Sequence, residues 1–246
     1  MAGRQPRDRT GPRSLELLPA QDATARAAAP TGTLAVFDLD RTLLPGSSLL
    51  ALGRAMASAG LVTRRRLAVA AVQEARYRRR GSIDTEVLDL RDEALEHIAG
   101  VERSRLVALA EEVAAELAGE VTTGARFLLD RHLSSGDFVV VLSASPHELV
   151  EAIAVRLGAH RAVGTRAEVA GGRYTGRLVG PLCYGAAKIE RLEQDIGRVD
   201  LADAWAYADS SSDLPLLEAC GHPVAVNPDR RLEAVARSRA WPILSV

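Results

Sequence analysis

The chain has 246 residues and 47% hydrophobic residues, enough for one large domain, or one domain with an insertion, built around a real core. Its formal net charge is −1, so no overall positive field indicates a nucleic-acid partner. Cys183 and Cys220 form no C-x-x-C pair, which favours buried thiols in a reducing compartment. No apolar run is long enough to span a membrane, and no export segment follows the N-terminal arginines. We therefore expect a cytoplasmic protein without stable membrane insertion.

The first recognisable elements are short apolar runs. Residues 1–31 are rich in Arg, Pro, Ala, Thr and Gly and lack periodicity, which predicts a disordered tail. Four later runs are typical of parallel strands that are buried on both faces. These runs are LAVF at 34–37, FVVVL at 138–142, AWAYA at 204–208 and PVAV at 223–226.

Helical patterns separate the predicted strands. They cover 146–157, with Ser145 as the expected N-cap, 185–197 and 229–238. Residues 168–180 read as a hairpin that turns at Gly171-Gly172. Strands that alternate with helices predict an α/β fold with a doubly wound parallel sheet.

Residues 47–120 interrupt this alternation, because they contain helical patterns but no convincing strand. An unstructured loop of that length is improbable, so we expect a small helical cap domain inserted after the first strand. The α/β core would then consist of 32–46 and 121–246. From Arg64 to Arg80 the cap carries seven arginines against one glutamate. This stretch is either a solvated helix face or a patch that weakly contacts an anionic substrate or membrane surface.

Polar side chains follow three of the predicted strands. Asp38 and Asp40 end the first, Ser143 follows the second, and Asp209 and Asp213 follow the third. Ligands of open α/β sheets bind at this edge, where the strands end. Four carboxylates converging there would repel one another unless a cation joined them, and an all-oxygen site suits Mg²⁺.

Lys188 is the only lysine in a chain that otherwise uses arginine, which favours a site that needs a compact ammonium. A metal ion, this lysine, a hydroxyl and helix N-terminal amides would form a cradle for a phosphoryl group. One aspartate could then attack phosphorus while another moves a proton. Ordinary structural roles remain open: an N-cap pair for Asp38 and Asp40, a turn serine, a solvated lysine, and an N-cap for Asp213.

The ordered set FDLDRT, LSAS, a lone lysine and YADSSSD resembles the four motifs of the haloacid dehalogenase (HAD) superfamily phosphatases. The helical insertion after the first motif, with GRLVGPLCYGAAK and DSSSDLPLL, is most similar to the phosphoserine-phosphatase-like subgroup IB. The resemblance covers residues 33–246. It implies a Mg²⁺-dependent phosphoric monoester hydrolase that acts on a small phosphorylated metabolite through an aspartyl-phosphate.

The resemblance also implies catalytic and metal-binding roles. Asp38 would be the nucleophile and a metal ligand. Asp40 would be the general acid/base and would lend its main-chain carbonyl to the metal. Asp209 would be a third ligand, and Asp213 a ligand or an anchor behind it. Lys188 would neutralise Asp38 and the phosphoryl group.

Four further residues receive roles in binding phosphate or substrate from the same resemblance. Ser143 and the amide of Ala144 would hold the phosphoryl group, and Thr42 would brace the first motif. Many relatives have a small residue at position 41, so Arg41 is expected to face the cap or the substrate rather than the metal. Apart from the resemblance, the position of His147 early in the helix after Ser143 makes it either a substrate contact or a helix-surface residue.

Three departures from the pattern argue against phosphoserine itself and leave phosphoryl chemistry intact. Ser47 and Ser48 stand where phosphoserine phosphatases carry an acidic residue for the substrate ammonium. Ala144-Ser145 replaces Gly-Gly, and Ser212 replaces an asparagine. The alternatives are a phosphotransferase with the same intermediate, a non-catalytic HAD-like binding protein, and a glycosyltransferase that uses the D-x-D pair. The oligomeric state is not predicted.

Overall fold

The computed structural model describes residues 32–63 and 94–246, together with Arg65, Ala68, Val69 and Val72. The predicted tail 1–31 and most of the Arg64–Arg80 stretch therefore lie outside the described residues. Within the part that is described, no helix is both long and apolar enough to cross a membrane.

Eight strands form two sheets within the described residues. Their bounds are β1 Leu34–Phe37, β2 Phe138–Pro146, β3 Arg161–Thr165, β4 Ala167–Ala170, β5 Arg173–Leu178, β6 Trp205–Ala208, β7 His222–Val226 and β8 Ile243–Leu244. The main sheet has the order β3-β2-β1-β6-β7-β8, and all its pairs are parallel. β4 and β5 form a separate antiparallel pair.

Helices cover both faces of the main sheet. Their bounds are α1 Ser48–Ser58, α2 Arg103–Gly119, α3 Thr123–Ser134, α4 His147–Leu157, α5 Ala187–Ile196, α6 Leu214–Ala219 and α7 Arg230–Ser238. Buried residues of α1 to α4 belong to one hydrophobic cluster, and those of α5 to α7 belong to a second. The predicted doubly wound parallel α/β fold is confirmed.

The packing of the central strand β1 explains why its sequence is an uninterrupted apolar run. Ala35 and Phe37 belong to the first cluster, whereas Leu34 and Val36 belong to the second. Successive side chains of a strand point to opposite faces, and helices cover both. A polar residue in this run would be buried without a partner, so carboxylates first appear where the strand ends.

The described ends of the predicted cap pack with the core. α1 and α2 both lie between β1 and β2 in the chain. The buried residues Leu106, Ala110 and Leu117 of α2 belong to the same cluster as Phe37 of the sheet. The middle of the insertion lies outside the described residues, so the cap boundaries at 47 and 120 stay a prediction.

The predicted hairpin is present and anchors the segment that leads into α2. Gly171 and Gly172 have φ values of 58° and 76°, which a two-residue hairpin turn requires. The main-chain N–H of Gly100 donates to the carbonyl of Tyr174 at 2.8 Å, and the N–H of Tyr174 donates to Val101 at 3.0 Å. The hairpin therefore holds the returning end of the insertion.

Two local expectations differ from the structure. The edge strands β3 and β8 were not predicted, because Arg161, Gly164 and Thr165 interrupt the apolar pattern of β3 and β8 has only two residues. The expected N-cap at Ser145 was wrong. Strand β2 continues to Pro146, which itself precedes α4, and the helix has no side-chain cap.

Gly164 offers a test of the packing between β3 and the start of α4. A Cβ at this position would lie 2.6 Å from the Cα of His147 and 2.9 Å from the carbonyl oxygen of Ser145. Because both neighbours are main chain, we expect Gly164→Ala to lower the free energy of unfolding by about 1–3 kcal/mol. Urea unfolding measures this. Gly119→Ala is the matched control, since no atom of the described chain lies within 4 Å of its Cβ position. Equal stability of the two variants would contradict the packing argument.

Candidate active site

The register of the main sheet brings the predicted polar residues to one edge. Phe37 of β1 pairs with Val141 of β2 and with Tyr207 of β6. Ser143 and Asp209 each lie two residues beyond those partners, level with the chain that follows β1. The predicted convergence of side chains at the carboxyl ends of the strands is therefore what the structure shows.

Lys188 lies at the centre of this site, between two aspartates. Its Nζ is 2.6 Å from Oδ1 of Asp38 and 2.7 Å from Oδ1 of Asp213. Lys188 is 3% exposed, which rules out a solvated helix lysine. Asp213 precedes α6, yet its side chain makes no capping hydrogen bond to that helix and pairs with the ammonium instead.

Three buried carboxylates form a group that fits a divalent cation. Asp38, Asp209 and Asp213 each present an oxygen within 4.8 Å of the others. Burial and the neighbouring charge of Asp38 raise the pKa of Asp209 well above its usual value. Burial raises the pKa of Asp213 to about 6, against the opposing charge of Lys188. The group therefore carries more negative charge than Lys188 alone balances, and its hard oxygen ligands are those that Mg²⁺ prefers.

The side chain of Asp40 is held by the start of α1. Its Oδ1 accepts a hydrogen bond of 2.8 Å from the main-chain N–H of Ser48, the first residue of α1. The first helix of the predicted cap thus fixes the orientation of the carboxylate that was predicted to move protons.

A chain of serines connects Asp40 to Ser143. The hydroxyls of Ser48 and Ser145 lie 2.8 Å apart and are both buried. The N–H of Ser145 donates to Oγ of Ser143 at 3.2 Å. The contact between Ser48 and Ser145 was not predicted, because nothing in the sequence indicates contact between residues so far apart.

The main chain at Ala144 is anchored by a residue that the sequence did not single out. Thr165 Oγ1 donates to the carbonyl of Ala144 at 2.7 Å and accepts from the N–H of Cys183 at 3.2 Å.

Cys183 and Cys220 are free and buried, as predicted. Burial raises the pKa of each thiol to about 12, so both remain protonated near neutral pH.

One prediction for the first motif stays untested and another needs correction. The hydroxyl of Thr42 is buried and has no hydrogen-bond partner in the described part of the chain, so its bracing role stays a prediction. Nε of Arg41 lies 2.9 Å from Oδ2 of Asp209. Arg41 therefore faces a predicted metal ligand, contrary to the expectation that it faces the cap or the substrate.

His147 does not lie on the helix surface. Its side chain is 14% exposed, and its Nε2 lies 3.4 Å from an Nη2 of Arg166. Burial, followed by the charge of Arg166, lowers the pKa of His147 to about 4. The imidazole is therefore neutral near neutral pH, and no contact with a substrate is shown.

Comparisons with known proteins agree with this fold. A family described as haloacid dehalogenase-like hydrolase matches residues 35–218. Phosphoserine phosphatase SerB1 of Mycobacterium tuberculosis is 38% identical over 213 residues, 85% of this chain and 69% of that protein. A histidinol-phosphatase of Neisseria meningitidis is 32% identical over 222 residues, 86% of this chain and 98% of that protein.

A solved structure shares the fold. It is a phospho-aspartyl intermediate analogue of phosphoserine phosphatase, with a TM-score of 0.60 and 18% identity, covering 87% of this chain and 93% of that one. The chain belongs to the haloacid dehalogenase-like hydrolase family. Its predicted assignments to the phosphoserine-phosphatase-like subgroup and to the phosphoric monoester hydrolases are confirmed.

The lowered pKa of His147 predicts how stability changes with pH. Because the folded chain resists protonating His147 between about pH 6.5 and 4, stability present above the unfolded pKa is lost as the pH falls. We expect wild-type protein to lose about 2 kcal/mol more free energy of unfolding than His147→Gln between about pH 7.5 and 5. Urea unfolding at both pH values measures the difference. Parallel stability curves would show that His147 does not titrate in this way.

Proposed function

We propose that the protein is a Mg²⁺-dependent phosphatase that hydrolyses a small phosphomonoester through an aspartyl-phosphate on Asp38. The observation that carries this proposal is the buried ammonium of Lys188 between Asp38 and Asp213. A carboxylate that receives a phosphoryl group needs nearby positive charge, because the incoming group is itself anionic. The buried ammonium of Lys188 supplies that positive charge directly beside Asp38.

In the proposed first step, a carboxylate oxygen of Asp38 attacks phosphorus and the bond from phosphorus to the alcohol oxygen breaks. The leaving alcohol takes a proton from Asp40. Ser143 and the amide of Ala144 would hold the other phosphoryl oxygens. The hydrogen bond from the Ser48 N–H to Asp40 supports this role, since it fixes the carboxyl group in one orientation.

In the second step, water attacks phosphorus of the aspartyl-phosphate and passes its proton to Asp40. The bond from phosphorus to Asp38 breaks, which releases inorganic phosphate and restores both carboxyl groups to their starting states. Asp40 thus acts first as an acid and then as a base, and a second proton-transfer residue is unnecessary.

Asp38, Asp209 and Asp213, with the main-chain carbonyl of Asp40, would hold the Mg²⁺ ion. When bound, the ion would supply further positive charge to the phosphoryl oxygens. The raised pKa of Asp209 supports this assignment, because burial among other carboxylates leaves the group short of positive charge.

The proposed substrate is a small phosphorylated metabolite, and the departures from the family pattern disfavour phosphoserine among these. Ser47 stands where an acidic residue would recognise a substrate ammonium, and its hydroxyl accepts from the N–H of Leu50 as the N-cap of α1. Relatives named for phosphoserine and for histidinol phosphate are both similar to this chain, so family membership leaves the alcohol open. Measuring phosphate release across a panel of phosphomonoesters identifies the substrate.

The free buried cysteines favour a cytoplasmic location.

Removing the nucleophile tests the proposal directly. We expect Asp38→Asn to lower kcat for p-nitrophenyl phosphate with Mg²⁺ by at least about 10³-fold, because an amide does not attack phosphorus. Asp130→Asn, a change at an exposed aspartate of α3, is the matched control and should retain activity. Full activity in Asp38→Asn would refute the mechanism. Transfer of the phosphoryl group to an added alcohol, instead of to water, would identify a phosphotransferase.

Asp40→Asn separates the two steps. p-Nitrophenolate leaves without a proton, so we expect the first step to proceed in this variant while the attack of water slows by about 10²–10⁴-fold. An aspartyl-phosphate should therefore accumulate on Asp38, and mass spectrometry of the acid-quenched protein detects it. Wild-type turnover, or slow turnover with no phosphorylated protein, would contradict the role of Asp40.

A further inference from the structure

We propose that Arg41 is a permanent counter-charge for Asp209 that weakens metal binding and strengthens phosphate binding in the same site. The inference concerns the regulation of the proposed active site and so rests on the proposed function. It goes beyond the roles implied by the family, where many members have a small residue at this position.

The geometry places the guanidinium against a carboxylate of the metal-binding group. Nε of Arg41 lies 2.9 Å from Oδ2 of Asp209, and the two side chains are 22% and 5% exposed. The contact is an ion pair through Oδ2 of Asp209. Both side chains are largely shielded from water. The positive charge of the Arg41 guanidinium therefore acts on the rest of the site with little screening by solvent.

Other residues hold Arg41 in this position. Its φ is 62°, a left-handed conformation that is strained for a residue with a side chain. The side-chain amide of Asn227, at the end of β7, donates to the carbonyl of Arg41 at 3.1 Å. Asp209, the other member of the ion pair, is held by the same loop: the main-chain N–H of Asp229 donates to the main-chain carbonyl of Asp209 at 2.8 Å. One loop thus positions both members of the pair.

A count of charges gives the consequence. A metal ion binds carboxylate ligands in their ionised forms. In those forms Asp38, Asp209 and Asp213 contribute three negative charges and Lys188 contributes one positive charge, which leaves two negative charges. The positive charge of Arg41 reduces the net charge of the site from two negative charges to one. This reduction is permanent, because a guanidinium does not lose its proton in proteins. A divalent cation therefore meets a less negative site than it would without Arg41. A phosphate anion that binds after the metal meets a more positive one.

The two effects have opposite signs, and this distinguishes a charge effect from structural damage. Loss of Arg41 should tighten the binding of Mg²⁺ and weaken the binding of phosphate. A variant that merely distorts the site would weaken both. Arg41→Gln removes the charge and retains a side chain of similar reach, whereas Arg41→Lys keeps the charge.

The test measures two constants on the full chain. Calorimetric titration of metal-free protein with Mg²⁺ should give a dissociation constant about tenfold lower for Arg41→Gln than for wild type. Competitive inhibition by inorganic phosphate, at saturating Mg²⁺, should be about tenfold weaker. Arg41→Lys should restore both constants towards wild type. Arg237→Gln, at an exposed arginine of α7 that pairs with Glu233, should change neither.

The outcomes separate this inference from the proposed function. If wild-type protein binds no Mg²⁺ and hydrolyses no phosphomonoester, the proposed function fails. If wild type does both, but Arg41→Gln shifts the two constants in the same direction or not at all, only the role of Arg41 fails.

Arg41→Gly is a second variant, which removes the charge and relieves the left-handed strain. It should produce the same opposite shifts as Arg41→Gln, and any other pattern overturns the inference.

Discussion

The ammonium of Lys188 is the interaction on which the rest of the site depends. It joins the end of β1, the first turn of α5 and the chain that follows β6, because Asp38, Lys188 and Asp213 come from these three segments. All three side chains are buried, and an unpaired charge in such a place is penalised by several kcal/mol. The positions of these segments are therefore coupled, because displacing any one of them breaks an ion pair with Lys188.

A second set of hydrogen bonds joins the edge that carries the predicted site residues to the predicted insertion. Ser48 begins α1, and its N–H and hydroxyl reach Asp40 and Ser145, which lie on two different motifs. The hairpin of β4 and β5 holds the other end of the insertion through Val101. Both described ends of the insertion are thus hydrogen-bonded to elements of the core, and the entry end bonds directly to the site. A rearrangement of α1 would therefore be transmitted to the carboxyl group of Asp40.

The parts of the site that sequence reasoning located share one physical cause. Asp38, Ser143 and Asp209 each follow a short apolar run, and parallel strands present their carboxyl ends at a single edge. The unpredicted parts depend on contacts across the fold. The Ser48–Ser145 pair and the Arg41–Asp209 pair join residues that no local pattern relates. Strand β3 was missed because a half-exposed edge strand does not need an uninterrupted apolar sequence.

The sequence by itself determined the class of fold, the edge at which the predicted site residues meet and the membership of the family, because hydrophobic periodicity and motif order are local properties of the chain. Only the tertiary structure decided which charges neutralise one another. Arg41 follows Asp40 directly in the sequence but pairs with Asp209, since a left-handed main chain and the hydrogen bond from Asn227 aim it there. Electrostatic balance depends on distances between side chains from separate segments, and these distances exist only once the chain is folded.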